Sequence, residues 1–288
     1  MYEIRMFGGL EVRTRGVRLA RHDFGGMRER HILALLALHR TVCGTDLADL
    51  LWDGSPPGDH AMVVQRHVSE LCARLDPDGR TRRPVAAVVS AGETRYRLDP
   101  DLVRTDVALF DELVTAATGR APGRAVPPLT AAAHLAARPL LDGEQGFRWA
   151  TEARAHYRNR LIEALLGTAE RALMNDDPGA ALELATQLLA VEPCAERGWF
   201  VTVAAHRVRG ERVAALHAYE ECRRRLVGTL AVEPSPPVRA LFLTVLRDGG
   251  SPLDGVEATR HGVGHRAVGT RRPSTAGRRS GASTVVEG

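Results

Sequence analysis

The stretch MVVQRHVSELCARL, from Met62 to Leu75, decides how the first part of this chain folds. Its apolar residues recur at spacings of four, three and four, which is the spacing of one buried face of an α-helix. That stripe consists of Val64, Val68, Leu71 and Leu75. At about 100° per residue the opposite arc is polar or small, and it holds Met62, Arg66, Ser69, Glu70 and Ala73. The segment is therefore an amphipathic helix whose outward face carries one arginine and one glutamate.

The segments around this helix predict a winged helix-turn-helix over residues 1–104. MRERHILALLALHRT and GTDLADLLW read as two earlier helices, with Thr45 as a capping residue of the second. PVAAVVS and ETRYRLD predict a hairpin that turns at Ala91-Gly92. At the N-terminus, alternation of apolar and polar residues predicts short strands joined by turns at Gly8-Gly9 and Gly16.

Residues 105–248 predict an all-helical region. TDVALFDELVTAATG leads into a link rich in proline and glycine, APGRAVPP, and further helices follow. Two segments resemble each other: their Ala-Ala-Leu triplets start 34 residues apart, at Ala180 and Ala214, and both end in Ala-Val-Glu-Pro. This is the period of tetratricopeptide helix pairs. We expect about three such pairs, with a core separate from that of the N-terminal part, and the chain as a whole is predicted to be mainly α.

The remaining residues, 249–288, are rich in glycine, serine and arginine and show no periodicity. A segment of this composition buries too little apolar surface to offset its ordering entropy. We expect a disordered tail.

Composition excludes several classes of protein. All 39 basic residues are arginine, so lysine-dependent phosphate loops and Schiff-base chemistry are excluded. The four cysteines have no metal-ligand spacing, and His67 has only His60 as a helical companion, so no metal and no cofactor are predicted. No enzyme motif is found, and no signal peptide or membrane-spanning run, which predicts a soluble cytoplasmic protein.

The order of these segments resembles a known family. MFGGLEVRTRGVRL, RHILALLALH, LADLLWDGSPPGDH, QRHVSELCARLDPDG and YRLD are similar to the N-terminal winged helix of the Streptomyces antibiotic regulatory protein family. The stretch AALHAYEECRRRLVGTLAVEPSPPVRALFLTVLR resembles the bacterial transcriptional activation domain of that family. The resemblance covers about residues 1–248 and has the extent of a short-type member.

The resemblance implies a transcriptional activator of a secondary-metabolite gene cluster. Its partners would be double-stranded promoter DNA with direct repeats and RNA polymerase holoenzyme, and two copies would bind side by side. The third helix would enter the major groove, where Gln65 can pair with adenine, Arg66 with guanine, and Ser69 with a base or a phosphate. The candidate DNA contacts are Thr45, Gln65, Arg66, His67, Ser69, Glu70, Arg74, Arg80, Arg82, Arg83, Arg95 and Arg97.

Some of these candidates have alternative interpretations. His67 lies at the edge of the buried stripe and is either packed or in contact with DNA. Glu70, at a place where the family has a basic residue, either accepts from cytosine or is a solvated charge. In the wing, GETRYRL is longer than the family's turn, so Arg95 is the more suitable contact and Arg97 a structural residue.

Two other functions stay open. Residues 1–110 carry 16 arginines and 15 acidic residues, which favours a winged helix without DNA readout on a tetratricopeptide-like scaffold for protein interaction. The other function is that of a sensor that binds a small molecule in the helical region. The arginines of the second repeat either dock an acidic polymerase surface or lie on solvent faces; they are Arg207, Arg209, Arg212, Arg223, Arg224 and Arg225.

Overall fold

Helices dominate the computed structural model, which describes residues 1–77, 79, 83–90, 92–144 and 146–248. The strands are β1 (Tyr2–Arg5), β2 (Glu11–Thr14), β3 (Val17–Ala20), β4 (Thr41–Cys43), β5 (Val85–Ser90), β6 (Glu93–Leu98) and β7 (Val103–Thr105). The helices are α1 (Met27–His39), α2 (Gly44–Leu51), α3 (His60–Leu75), α4 (Asp106–Ala117), α5 (Pro122–Leu135), α6 (Arg148–Met174), α7 (Pro178–Val191), α8 (Glu196–Val208), α9 (Arg212–Leu230) and α10 (Pro236–Arg247). The predicted tail lies outside the described residues.

Helices α1, α2 and α3 pack on one another and form the helix-turn-helix. The stripe of α3 is buried as its spacing predicted, and the helix begins at His60, two residues before the predicted start. Strands β4, β6 and β5 form an antiparallel sheet in that order, in which Arg95 pairs with Val88 on one side and Cys43 on the other. This sheet is the wing, so the predicted winged helix is confirmed.

The N-terminal sheet connects the winged helix to the helical region. Its order is β3-β2-β1-β7, with β1 parallel to β7 and antiparallel to β2. Beyond β1, the N–H groups of Met6 and Phe7 donate to the carboxylate of Asp106, the first residue of α4, at 2.7 and 2.9 Å. Leu141 donates its N–H to the Met6 carbonyl at 2.7 Å. The segment that follows the first strand is thus held by Asp106 and Leu141 of the helical region.

One hydrophobic core therefore runs through both regions, where the sequence predicted two. Buried residues from Tyr2 to Ala205 form a continuous cluster. In it, the ring of Phe7 lies 5.5 Å from that of Phe110 and 5.9 Å from that of Tyr157. A second cluster joins α8, α9 and α10 around Val203, Cys222 and Val245. The predicted division near residue 104 thus falls inside the larger core.

A second link between the two regions is polar and centres on Glu144, in the connection between α5 and α6. Its carboxylate accepts from Arg30 Nε at 3.0 Å and lies 2.9 Å from Nε2 of the buried His31, both on α1. The hydrogen bond with His31, together with that from Arg30, holds the pKa of Glu144 below its ordinary value against the opposing effect of burial. The His31 ring also meets the ring of Phe147 at 4.2 Å.

The helical region has the tetratricopeptide-like arrangement that the repeat predicted. Successive helices pack on each other from α4 to α5 and from α6 through α9. Ala181 and Ala215 are fully buried, which permits close helix crossings at the repeated positions. None of the helices in the described part of the chain has the length and apolar character that crossing a membrane requires.

Two local predictions are corrected by the structure. APGRAVPP is not a link but the first half of α5, because Pro122 occupies the first turn, where no N–H is needed, and burial of Val126 and Leu129 offsets the donors lost at Pro127 and Pro128. The cap of α2 is Cys43, whose Sγ accepts from Asp46 N at 3.3 Å, and not Thr45.

Replacing Glu144 tests the polar link. We expect Glu144→Gln to lower the free energy of unfolding at pH 7 by about 1–3 kcal/mol, because charge-assisted hydrogen bonds to Arg30 and His31 are lost. Since the folded-state pKa of Glu144 is depressed, its contribution is present above the ordinary value of 4.5 and disappears as the pH falls through the folded-state pKa. Urea unfolding from pH 7 down to about pH 3 measures this loss.

Glu152→Gln is the matched control, because Glu152 pairs with Arg148 on the exposed face of α6. It should change stability by less than about 0.5 kcal/mol at every pH. Equal effects of the two substitutions at pH 7 would contradict the role of Glu144.

Two helical glycines form a second matched pair. A Cβ on buried Gly198 would lie 2.9 Å from Leu188 Cδ2 and 3.2 Å from Leu189 Cδ2, whereas one on exposed Gly228 meets nothing within 4 Å. Gly198→Ala should therefore lower stability by about 1–3 kcal/mol, and Gly228→Ala should raise it by about 0.5–1 kcal/mol. Thermal or urea unfolding measures the stability of both variants. A Gly198→Ala variant more stable than the unaltered protein would show that α7 and α8 pack less tightly than described.

Candidate nucleic-acid interface

The outward face of α3 is the centre of the candidate interface. Gln65, Arg66 and Ser69 are exposed there, as the helical spacing predicted. Ser69 Oγ donates to the Gln65 carbonyl at 2.9 Å, so its oxygen lone pairs remain available to another donor. Met62 is 73% exposed and gives the first turn of this face an apolar surface.

Glu70 occupies a position between two basic side chains on α3. Its Oε1 lies 3.8 Å from Arg66 Nε, and its Oε2 lies 3.7 Å from His67 Nδ1. Both Arg66 and Glu70 are largely exposed, so their attraction is weak and easily exchanged for another partner. In this arrangement the glutamate offsets the positive charge of the arginine on the outward face.

His67 is placed in the interior and not on the outward face of α3. It is 9% exposed, and its Nδ1 lies 2.6 Å from Oε1 of Glu29 on α1. Burial opposes ionisation of Glu29, but hydrogen bonds from its own backbone N–H and from His67 hold the pKa of Glu29 below its ordinary value. The prediction of a DNA contact for His67 does not fit this placement, and the packed alternative does.

The wing presents its arginines on one face of β6. Tyr96 is buried, while Arg95 and Arg97 on the other side of the strand are exposed, as alternation along a strand requires. Arg95 is 58% exposed and lies 3.4 Å from the Glu93 carboxylate. Thr45 Oγ1 also donates to Glu93, at 3.4 Å, so the first turn of α2 and the wing meet at this glutamate.

The other candidates are distributed around this surface. Arg83 is exposed just before β5. Arg74 is exposed at the end of α3, where its guanidinium lies against the backbone of Gly25; a Cβ at that glycine would come within 2.7 Å of Arg74 Nε. Arg80 and Arg82 lie outside the described residues.

The arginines of the second helical repeat are engaged within the protein. Arg209 binds Glu211, Arg223 binds Glu233, and Arg224 and Arg225 both bind Glu221. Arg212 donates to the Val245 and Leu246 carbonyls at the end of α10, and Arg207 also has a partner. The ion pairs are largely exposed and leave this helix surface with an excess of positive charge.

Sequence reasoning missed Glu29, which connects α1 to α3 through His67. Its Oε2 accepts from the Gly26 N–H at 2.9 Å, and its Oε1 meets His67. The available signal was a glutamate three residues after the glycine that precedes α1, which is the spacing of a capping box. Nothing in the spacing within α3 points to a partner on another helix. One donor atom from each of Glu29, His67 and Glu70 lies within 4.8 Å of the other two.

Comparison with known proteins agrees with this architecture. Residues 105–246 match the family model of the bacterial transcriptional activator domain. The chain is 27% identical to the transcriptional regulatory protein MoaR1 of Mycobacterium tuberculosis over 261 residues, covering 88% of this chain and 81% of MoaR1. It is 28% identical to the transcriptional regulator RedD of Streptomyces coelicolor over 255 residues, covering 85% of this chain and 70% of RedD.

A solved structure extends the comparison to three dimensions. The structure of Mycobacterium tuberculosis EmbR in complex with a low-affinity phosphopeptide superimposes with a TM-score of 0.63 and 24% identity, covering 91% of this chain and 69% of EmbR. The winged helix followed by tetratricopeptide-like helices is thus a fold that the two proteins share.

Proposed function

We propose that the chain is a sequence-specific, DNA-binding transcriptional activator of the Streptomyces antibiotic regulatory protein family, since residues 105–246 match the bacterial transcriptional activator domain and its relatives are named transcriptional regulators. The observation that carries the proposal is the exposed face of α3, with Gln65, Arg66 and Ser69 free of the core in the position where a winged helix reads the major groove. We assign DNA binding to residues 1–104 and activation to residues 105–248.

Contact with a DNA base requires the Arg66 side chain to break its ion pair with Glu70. In the major groove, a guanine offers two acceptors to the arginine fork, and Gln65 pairs in the same way with adenine. The separation of 3.8 Å between Arg66 and Glu70 and the exposure of both side chains make this exchange inexpensive. Glu70 then either accepts from a cytosine amino group or turns away from the phosphates.

Phosphate binding is assigned to the loops and the wing, because α3 has few cations. Arg95 and Arg97 project from one face of β6, and Arg83 lies at the start of β5. These contacts would fix the register of the helix on the duplex and supply the salt-dependent part of the affinity.

Activation is assigned to the helical region, with RNA polymerase holoenzyme as the partner. Its links to the winged helix through Asp106 and Glu144 would hold a polymerase-binding surface in a fixed position relative to DNA. By analogy with the family, the sites would be direct repeats in promoter DNA of a secondary-metabolite gene cluster, occupied by two copies side by side. Such a protein works in the cytoplasm.

The second candidate function is a protein-interaction regulator without DNA readout. The observation in its favour is the Arg66–Glu70 pair, which offsets the positive charge of the one arginine on the outward arc of α3. A reconstituted transcription assay separates the two functions, because a scaffold does not activate a promoter in the presence of polymerase alone.

Fluorescence anisotropy with DNA from the promoter of the neighbouring gene cluster tests the proposal. Arg66→Ala should lower the preference for the repeat over a scrambled duplex by about 1–3 kcal/mol, since one bidentate base contact is lost. Arg95→Ala should weaken binding to both duplexes alike and reduce the slope of log K against log salt by about 1. Arg224→Ala, on a paired arginine of α9, is the control and should change neither quantity. Equal affinity of the unaltered protein for both duplexes would refute sequence-specific binding.

Glu70→Gln examines the competition for Arg66. In buffer with a chelator, this variant should bind DNA more tightly at low salt, because it removes one negative charge near the phosphates and releases Arg66. If Glu70 accepts from a cytosine, the same variant instead loses affinity for the repeat while its affinity for scrambled DNA rises. A titration of both duplexes distinguishes these outcomes, and no change on either duplex would show that Glu70 does not face DNA.

A further inference from the structure

Three donor groups converge where α3 crosses α1. His67 Nδ1 lies 2.6 Å from Glu29 Oε1 and 3.7 Å from Glu70 Oε2, and one donor atom from each of the three residues lies within 4.8 Å of the other two. Glu29 comes from α1, whereas His67 and Glu70 are three positions apart on α3 and so share a helix face. Sequence spacing within α3 did not predict a third ligand, because it lies on another helix.

The donor set is suited to a transition-metal ion. One imidazole nitrogen and two carboxylate oxygens are typical ligands of Zn²⁺, which binds each at about 2.0–2.2 Å and so brings tetrahedral donors to roughly 3.4 Å from one another. The distance from His67 Nδ1 to Glu70 is already close to this value, and the distance to Glu29 has only to lengthen by a fraction of an ångström. Glu29 and His67 are buried, while Glu70 is exposed, so the site is fixed on the inside and open to solvent on the outside.

The orientation of the ligands also fits a metal ion. Glu29 and Glu70 approach the same ring nitrogen, Nδ1 of His67, and an imidazole nitrogen binds a metal ion once its proton is released. The orientation of the Glu29 carboxylate is also fixed, because its second oxygen accepts a hydrogen bond from the Gly26 N–H. Metal ligands are commonly oriented by hydrogen bonds of this kind from outside the site.

We infer that Glu29, His67 and Glu70 bind a divalent transition-metal ion of the zinc class and that this ion controls the recognition helix. Glu70 is shared between the cluster and Arg66, from whose Nε it is separated by 3.8 Å. An ion bound by His67 and Glu29 draws Glu70 inward and leaves Arg66 unpaired on the outward face. Ion binding therefore raises the affinity for DNA, a consequence that rests on the proposed function, whereas the metal site does not.

Co²⁺ is the probe for the site, because its visible absorption reports ligand number and geometry. The full-length chain, without a histidine tag and treated with chelator, is titrated with Co²⁺, and then with Zn²⁺ in competition. One equivalent should produce visible bands that Zn²⁺ abolishes. Glu70→Gln keeps the buried Glu29–His67 pair intact and should weaken Co²⁺ binding about tenfold or more.

Glu3→Gln is the matched control, since Glu3 is an exposed glutamate that also pairs with a nearby arginine, Arg5. It should leave Co²⁺ binding unchanged. Absence of the bands in the unaltered chain, or equal affinity of the Glu70→Gln variant and the unaltered chain, overturns the metal site. Circular dichroism of each variant confirms that the fold is retained.

DNA binding with and without Zn²⁺ tests the control of the helix. Zn²⁺ should increase the affinity for the promoter duplex several-fold in the unaltered chain and in Glu3→Gln, but not in Glu70→Gln. Co²⁺ binding that depends on Glu70 without any change in DNA affinity overturns the regulatory part and leaves the site standing. If DNA binds in neither state, the proposed function fails and the regulatory part with it, while the Co²⁺ result still decides the site.

Discussion

The carboxylate of Asp106 determines how the two regions of this protein are joined. It sits in the first turn of α4, where the exposed N–H groups favour a negative charge, and it receives the N–H groups of Met6 and Phe7 at the end of the first strand. Burial raises the pKa of Asp106, so its ionised form depends on these donors to offset the loss of water. The strand thereby ends against the helical region, and the sheet, the aromatic rings around Phe7 and the 139–142 segment assemble about that point.

Many arginines of the described residues have a partner within the protein. In the second helical repeat, Arg224 and Arg225 share Glu221, and Arg212 donates to backbone carbonyls. On α3, one glutamate serves both the outward arginine and the inward histidine. The outward face of α3 is therefore nearly neutral, and its electrostatic properties depend on the position of the Glu70 side chain.

Much of the fold was predictable because it depends on local patterns. The four-three-four spacing in α3, the alternation in β6 and the 34-residue period each report a face that is buried, and the structure confirmed all three. Helix α5 was missed because its prolines signal a break, whereas the apolar face that overrides them is recognised only against its neighbours. The buried partners of two histidines were missed for the same reason: Glu29, beside the candidate site, and Glu144, in the link between the regions, are separated in sequence from His67 and His31 by 38 and 113 residues.

The continuous core also limits how this architecture can be taken apart. A winged helix excised at residue 104 would lose the last residue of β7, the carboxylate of Asp106 and the loop that carries Glu144, and would expose the apolar surface around Phe7 to water. Proteins of this architecture therefore exchange their winged-helix and helical regions less freely than their linear order suggests. A functional chimera has to inherit the first strand, the start of α4 and the 139–149 segment from the same parent, so specificity in such proteins would diversify by substitutions on the outer face of α3 more readily than by recombination of whole regions.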